Sequence, residues 1–190
     1  MPRISNSAID AYFDYGLDYR NRRIFLLSYI EEEHINEVIK GIYLLDAIDD
    51  KKPIELFISS FGGDMYSMFS LYDVLNTTTC PIHTVAIGKC MSAAPLLVAA
   101  GKAGQRYTMP NTQWMVHQPS AEYDKSRFDD IKISVQHDDD LKLRWASLLE
   151  KHSKLTKAQW LRLINKVGDH YFSADEAIEK GLVDHIWSEK

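Results

Sequence analysis

This sequence is short of several things. Of its 190 residues only two are cysteine, six are proline and nine are glycine. Cys80 and Cys90 make no disulfide framework and have no zinc-finger spacing, so no metal site is expected from them. A hydrophobic core must then hold the chain together, and reduced thiols fit a cytoplasmic protein. Positive charge is also scarce: 22 Lys and Arg against 27 Asp and Glu give a net charge of −5. Nothing there draws in a phosphate backbone, which argues against nucleic acid as a partner. The one basic cluster, Arg20-Asn21-Arg22-Arg23, is short and abuts a strand-like run, and reads as a solvated strand entry. The longest apolar run, Ala93 to Ala100, falls far below the ~20 residues of a membrane span. Met1-Pro2-Arg3-Ile4-Ser5 lacks the apolar stretch of a secretory signal. There is no internal repeat, no low-complexity segment and no phosphate-binding loop. What remains is one domain over residues 1–190, long enough to bury a core, with ordinary hydrophobic and charged fractions of 45% and 26%.

Taken in order, residues 1 to about 20 form no clear pattern and read as an N-terminal arm that orders against a partner. Arg23–Leu27 is a compact apolar strand. Glu31–Leu45 places Ile35, Val38, Ile39, Ile42 and Leu45 on one helical face, with acids in the first turn where the helix dipole favours them. Ile54–Ser59 is a buried strand running into Ser60-Phe61-Gly62-Gly63-Asp64. Met65–Leu75 is a helix and Ile82–Ile87 the next strand. This alternation implies βαβ units and a largely parallel α/β sheet. A strand halted by Pro119 covers Trp114–His117. One long helix covers Ser126–His152, its apolar stripe interrupted at His137-Asp138-Asp139-Asp140. Capping boxes at Thr156/Gln159 and Ser173/Glu176 open two more helices, the first ending at Val167 with Gly168 as its stop, the second at Gly181. Leu182–Ile186 is a last short strand.

The segment around Ser92 carries the chemistry. It joins a buried strand to a run of small residues with Pro95 in the first helical turn. A serine on such a turn faces the positive end of a helix, and the amide of Ala93 can meet an oxyanion. Taken alone, Ser92 reads first as the N-cap of a buried helix, and the rest of the chain reverses that. A nucleophilic serine needs a base and a group that orients the base. Among seven histidines, His117 stands at the end of an apolar strand, where ligands meet α/β sheets. Asp169, after Gly168 and before the apolar pair Tyr171-Phe172, is one candidate for the carboxylate. Asp64, Asp73, Asp175 and Asp184 are rivals that spacing does not exclude. Gly62-Gly63 is positioned to supply a second oxyanion amide.

Gly88-Lys89-Cys90-Met91-Ser92, Met115-Val116-His117-Gln118-Pro119 and Asp169–Ala177 followed by Gly181–Asp184 stand in one order. In this the chain resembles the ClpP family, serine endopeptidases on a crotonase-like spiral of βαβ units with a protruding handle helix. The resemblance covers roughly Phe13 to Ile186. It implies Ser92 as nucleophile, His117 as general base, Asp169 as orienting acid, and Gly63 with Ala93 as oxyanion-hole donors. It implies no cofactor or metal in this chain. Partners would be further copies, in two stacked rings of seven joined through helix 126–152, an AAA+ unfoldase that spends the ATP, and unfolded polypeptide substrates.

The chain departs from the family's pattern at Phe61 and Ala93, where proline and methionine are usual, implying an altered substrate pocket. Val167-Gly168 replaces a Glu-Arg pair, and Arg127 a glutamine, implying different ring pairing. Glu55 and Thr77 stand where the family's unfoldase-docking pocket usually has hydrophobic or aromatic residues, which implies altered docking or a different partner. Two other readings are an acyl-CoA hydratase-type crotonase enzyme and a non-catalytic or partner-activated subunit of a mixed ring. Intact Ser92 and His117 count against the first and the complete triad against a non-catalytic subunit, while the missing Glu-Arg pair leaves room for a subunit active only beside a different partner.

Overall fold

A computed structural model describes residues 16–120 and 127–187. Most of the proposed N-terminal arm therefore lies outside the described residues, as does Ser126. Among the described residues eight strands form one sheet: β1 (Leu17–Asp18), β2 (Arg23–Leu26), β3 (Ile54–Ser60), β4 (Ile82–Met91), β5 (Arg106–Thr108), β6 (Gln113–Val116), β7 (His170–Phe172) and β8 (His185–Ile186). The path runs β1-β2-β3-β4-β5-β8, with β6 joined to β4 and β7 to β6. All pairs are parallel except β1 with β2 and β6 with β7. The expected α/β spiral is present, and the chain belongs in that fold class. Leu17 and Asp18 are a correction to the arm, because they pair with Ile24 and Arg23 as an edge strand.

Among the described residues six helices accompany the sheet: α1 (Glu32–Ile48), α2 (Met65–Thr77), α3 (Ala94–Ala99), α4 (Phe128–Lys151), α5 (Lys157–Ile164) and α6 (Ala174–Lys180). α1 buries Ile35, Val38, Ile42 and Leu45, the face its apolar spacing implies. These side chains pack with Ile54, Leu56 and Ile58 of β3 in one hydrophobic core. On α4 only the C-terminal part joins that core, through Trp145, Ala146 and Leu149, with Leu141 also buried. Its N-terminal half stands clear, leaving Phe128, Ile133 and Val135 exposed.

Several boundaries differ from the sequence reading, and α1 runs on past Leu45 to Ile48. β4 does not stop at Ile87 but runs on to Met91. Its pairing with β3 shifts between Ile58↔Ala86 and Ser60↔Cys90, a bulge in which Gly88 takes φ +64°. Before the bulge β4 pairs with β5, and after it with β6. α5 ends at Ile164, capped by Asn165, and not at Val167. Val167 is 99% exposed, so nothing apolar rewards another turn, and Gly168 at φ +86° serves the approach to β7 instead. The last strand is only His185–Ile186, since Asp184 is engaged elsewhere. Both capping boxes are present, and α6 ends on left-handed Gly181.

The basic cluster is structural, though not simply solvated. The Arg22 guanidinium donates to the carbonyls of Leu45, Asp49, Lys52 and Pro53, closing the C-terminal end of α1. Arg23 pairs with Glu55 at 2.7 Å. A second arginine ties the far edge of the sheet. Arg106 on β5 makes a two-pronged pair with Asp184, Nε to Oδ2 at 2.9 Å and Nη2 to Oδ1 at 2.6 Å, and donates to the His152 carbonyl at the end of α4. Burial pushes the Asp184 carboxyl up, but the hydrogen bonds and charge of Arg106 together outweigh it and hold it below its ordinary value. Asp184→Asn is expected to lower the unfolding free energy by about 2–3 kcal/mol at pH 7, read by urea denaturation. A carboxyl depressed in the folded state stabilises fully above its unfolded value near 3.9 and loses this as pH falls through its folded value. The gap between wild type and variant should therefore narrow below about pH 4.

Candidate active site

Three adjacent strand ends bring the site together. β4 and β6 run parallel with Met91 beside Met115, and the Ser92 N–H continues the ladder by donating to the Met115 carbonyl at 2.8 Å. β6 and β7 run antiparallel with Val116 beside His170, so the next position in that register sets His117 against Asp169. Ser92, His117 and Asp169 thus leave the ends of β4, β6 and β7 side by side.

The side chains complete what the backbone begins. His117 Nε2 lies 2.8 Å from Ser92 Oγ. His117 Nδ1 faces Asp169 Oδ1 at 3.6 Å. The other carboxylate oxygen, Oδ2, accepts a hydrogen bond from Tyr171 Oη–H at 2.9 Å, which raises the Tyr171 hydroxyl above its ordinary pKa. His117 and Asp169 keep 30% and 42% of their side-chain surface exposed, so solvent and substrate reach them. Tyr171 is itself exposed. Only Phe172 of the expected apolar pair is buried, because alternate residues of a strand face opposite ways.

Ser92 is not a helix N-cap. Ala93 occupies that position, and α3 begins at Ala94 with no side-chain capping bond. Ser92 instead takes φ +57°, one of two non-glycine residues with positive φ among the described residues. That conformation costs about 1–2 kcal/mol and marks a turn held by its surroundings. The Gly62–Gly63 segment closes over it. Gly62 sits at φ +97°, and a Cβ there would come 2.5 Å from Ser92 Cβ and 2.8 Å from the Met91 carbonyl oxygen. Gly63, at φ +150°, leaves no room for a Cβ against the Ile30 carbonyl. The Gly62 N–H is taken by Ser60 Oγ at 3.1 Å, and the Gly62 carbonyl by Ile30 N–H at 2.9 Å. Among the described residues the N–H groups of Gly63 and Ala93 donate to nothing.

The rival carboxylates are occupied elsewhere. Asp64 caps α2 by accepting from Ser67 N–H at 2.7 Å, Asp73 is exposed on α2, Asp175 lies in the first turn of α6, and Asp184 holds Arg106. Among the described residues only His117 meets a serine hydroxyl. His152 bonds Tyr72 Oη at 2.9 Å; burial, with Lys151 and Arg106 nearby, pushes it down to about 4. His137 bonds Tyr66 at 2.6 Å. No group of three or more His, Cys, Asp or Glu side chains among the described residues is arranged to hold a metal ion.

A cleft of about 740 Å³ opens beside Ser92 and His117. Its apolar wall includes Tyr29, Phe61, Met68, Leu141 and Trp145. Tyr29 stacks on Phe61 at 5.9 Å and Lys89 Nζ lies 4.7 Å from the same ring, so Phe61 is held as part of the cleft. Sequence reasoning missed Tyr171 and the cleft role of Trp145. Tyr171 had one available signal, a hydroxyl two residues beyond Asp169 on a short strand, hence on the same face.

The family model described as Clp protease matches residues 6–190. The chain belongs to the Clp protease family. A curated relative from Deinococcus radiodurans, the "ATP-dependent Clp protease proteolytic subunit", is 30% identical over 178 residues, covering 93% of this chain and 85% of that protein. As a member of the Clp protease family the chain is a serine-type peptidase. Its α/β architecture accords with that family.

Gly62→Ala is expected to force Ser92 and the Met91 carbonyl apart, lowering stability by about 1–3 kcal/mol in a thermal melt. An unchanged melting temperature would contradict the close approach.

Proposed function

We propose that this chain is the proteolytic subunit of a barrel-shaped protease and cleaves unfolded polypeptides to short peptides with a Ser92–His117–Asp169 triad. The observation that carries this is the 2.8 Å contact between His117 Nε2 and Ser92 Oγ. His117 takes the Ser92 proton as Oγ attacks the scissile carbonyl. The resulting oxyanion accepts from the N–H groups of Gly63 and Ala93. His117 then gives its proton to the leaving amine, and water resolves the acyl-enzyme by the same route. Asp169, held on its far side by Tyr171, orients the imidazole and stabilises its charged form. The alignment of β4, β6 and β7 supports this assignment of roles.

The assembly in this reading is two stacked seven-membered rings of identical subunits. The exposed Phe128, Ile133 and Val135 on the free half of α4, at 75%, 69% and 44%, support a role for that helix in pairing rings. ATP is spent by an AAA+ unfoldase partner and not by this chain; the Deinococcus relative's name supports an ATP-dependent assembly. A cytoplasmic location is part of the same reading, with Cys80 and Cys90 both free and buried. No helix among the described residues is long and apolar enough to cross a membrane.

The deciding experiment is intact mass after exposure to a fluorophosphonate. One adduct per chain is expected, absent in Ser92→Ala, which should also lose peptide hydrolysis while keeping its assembly. An adduct that persists in Ser92→Ala would overturn the nucleophile. No adduct on wild type would favour the partner-activated subunit of a mixed ring. Asp169→Asn is expected to lower kcat by about 10²- to 10⁴-fold through misorientation of His117; steady-state kinetics retaining full turnover would remove Asp169 from the triad.

A further inference from the structure

Several aspartates in this chain are fixed by backbone N–H donors. Asp46 accepts from Cys80, Asp49 from Lys51 and Lys52, Asp64 from Ser67, and Asp184 from Gly104 and Arg106. Asp169 has no such donor among the described residues. Its carboxylate meets His117 Nδ1, 3.6 Å from Oδ1, and the Tyr171 hydroxyl, which donates to Oδ2 at 2.9 Å. The first separation exceeds hydrogen-bond length. Among the described residues, the one hydrogen bond that orients this carboxylate therefore comes from Tyr171.

The backbone holds the two partners unequally. Asp169 follows Gly168, at φ +86°, and lies just outside β7. Its side chain is 42% exposed, so packing leaves it room to turn. Tyr171 sits in the middle of β7, in register with Met115 of β6. Residues two apart along a strand face the same way. A hydroxyl anchored in the sheet thus reaches a carboxylate at the loop end. The Tyr171 side chain is itself exposed, so burial of a polar group does not account for the bond. Asp169 raises the Tyr171 hydroxyl above its ordinary pKa, which keeps it a donor throughout the neutral range.

We propose that Tyr171 is a positioning residue for peptide hydrolysis: its hydroxyl holds the Asp169 carboxylate toward His117, and without it the carboxylate turns into solvent. The proposal deepens the triad reading and rests on it. A carboxylate turned away stabilises the imidazolium less, so the His117 pKa falls and proton transfer from Ser92 slows. Other charged groups face the same cleft: Asp64 at the start of α2, and Asp138, Asp139 and Lys142 of α4, with Lys142 paired to Asp139 at 2.6 Å. Lys166, Lys180 and Glu176 act on the neighbouring His170. Removing the Tyr171 hydroxyl leaves all of these in place.

The test is a double-mutant cycle on the full chain in its assembled form, read by steady-state peptide hydrolysis across pH. Tyr171→Phe keeps the ring and removes only the hydroxyl. It is expected to lower kcat about three- to tenfold, the scale of one charge-assisted hydrogen bond at a part-exposed site. The acid limb of the kcat/KM profile should move down by about half a pH unit. In an Asp169→Ala background the same substitution should change kcat by a factor of about one, since no carboxylate is left to hold. An acid limb that stays put or moves up overturns the proposal. So does an equal loss in both backgrounds, which a merely structural role would produce, and so does full turnover in Tyr171→Phe. Should Asp169→Ala fail to assemble or turn over too slowly to measure, the pH profile of Tyr171→Phe decides alone. Fluorophosphonate labelling of wild type separates the two levels. An adduct at Ser92 with an unmoved acid limb in Tyr171→Phe sinks this inference alone, whereas no adduct and no hydrolysis in wild type sink the triad and this inference with it.

Discussion

The site depends on one constraint, the change of partner that β4 makes along its length. The bulge at Gly88 lets the first half of the strand pair with β5 and the second half with β6. β6 then carries β7 on its other side. Because side chains and ladder positions repeat with a fixed period, these two registers dictate which residues leave the sheet together. Shifting either by one residue would turn His117 away from Ser92 or from Asp169. Much of the core serves that alignment: Trp114 and Phe172 stack at 6.0 Å across the β6–β7 pair, and both are buried.

A second constraint follows from where β4 ends. Ser92 turns sharply into α3 with a left-handed backbone that an L-residue adopts at a cost. The whole of α3 is buried, the Ser92 N–H is tied to Met115, and Gly62 presses against the serine from above. Packing on three sides over-determines the turn. The same closeness explains why the facing loop is Gly62-Gly63: only residues without Cβ let that backbone approach, and the N–H groups of Gly63 and Ala93 have no hydrogen-bond partner among the described residues.

Much of this was legible in the residues. The helical spacing of Ile35, Val38, Ile42 and Leu45, the two capping boxes and the βαβ rhythm are local patterns, and each is present as read. His117 at a strand end and Ser92 at a strand-to-helix junction also stand where the pattern put them. The misreadings share a physical cause. The extension of β4, the early end of α5 and the capping role of Arg22 all depend on partners distant in sequence. Choosing among five aspartates was likewise beyond spacing, because each carboxylate is distinguished only by what it touches.

The sequence by itself determined the class of fold, the positions of most elements, the absence of disulfides, and a serine and a histidine suited to acyl transfer. These follow from periodicity, capping and composition, which act over a few residues. Spacing left Asp169 and Asp184 as rivals and the family resemblance pointed to Asp169; the tertiary structure shows Asp169 rather than Asp184 facing His117, and it alone shows Tyr171 holding the carboxylate's other oxygen. Strand register and burial bring together residues such as Ser92 and Asp169, 77 positions apart, and no local pattern encodes such distances.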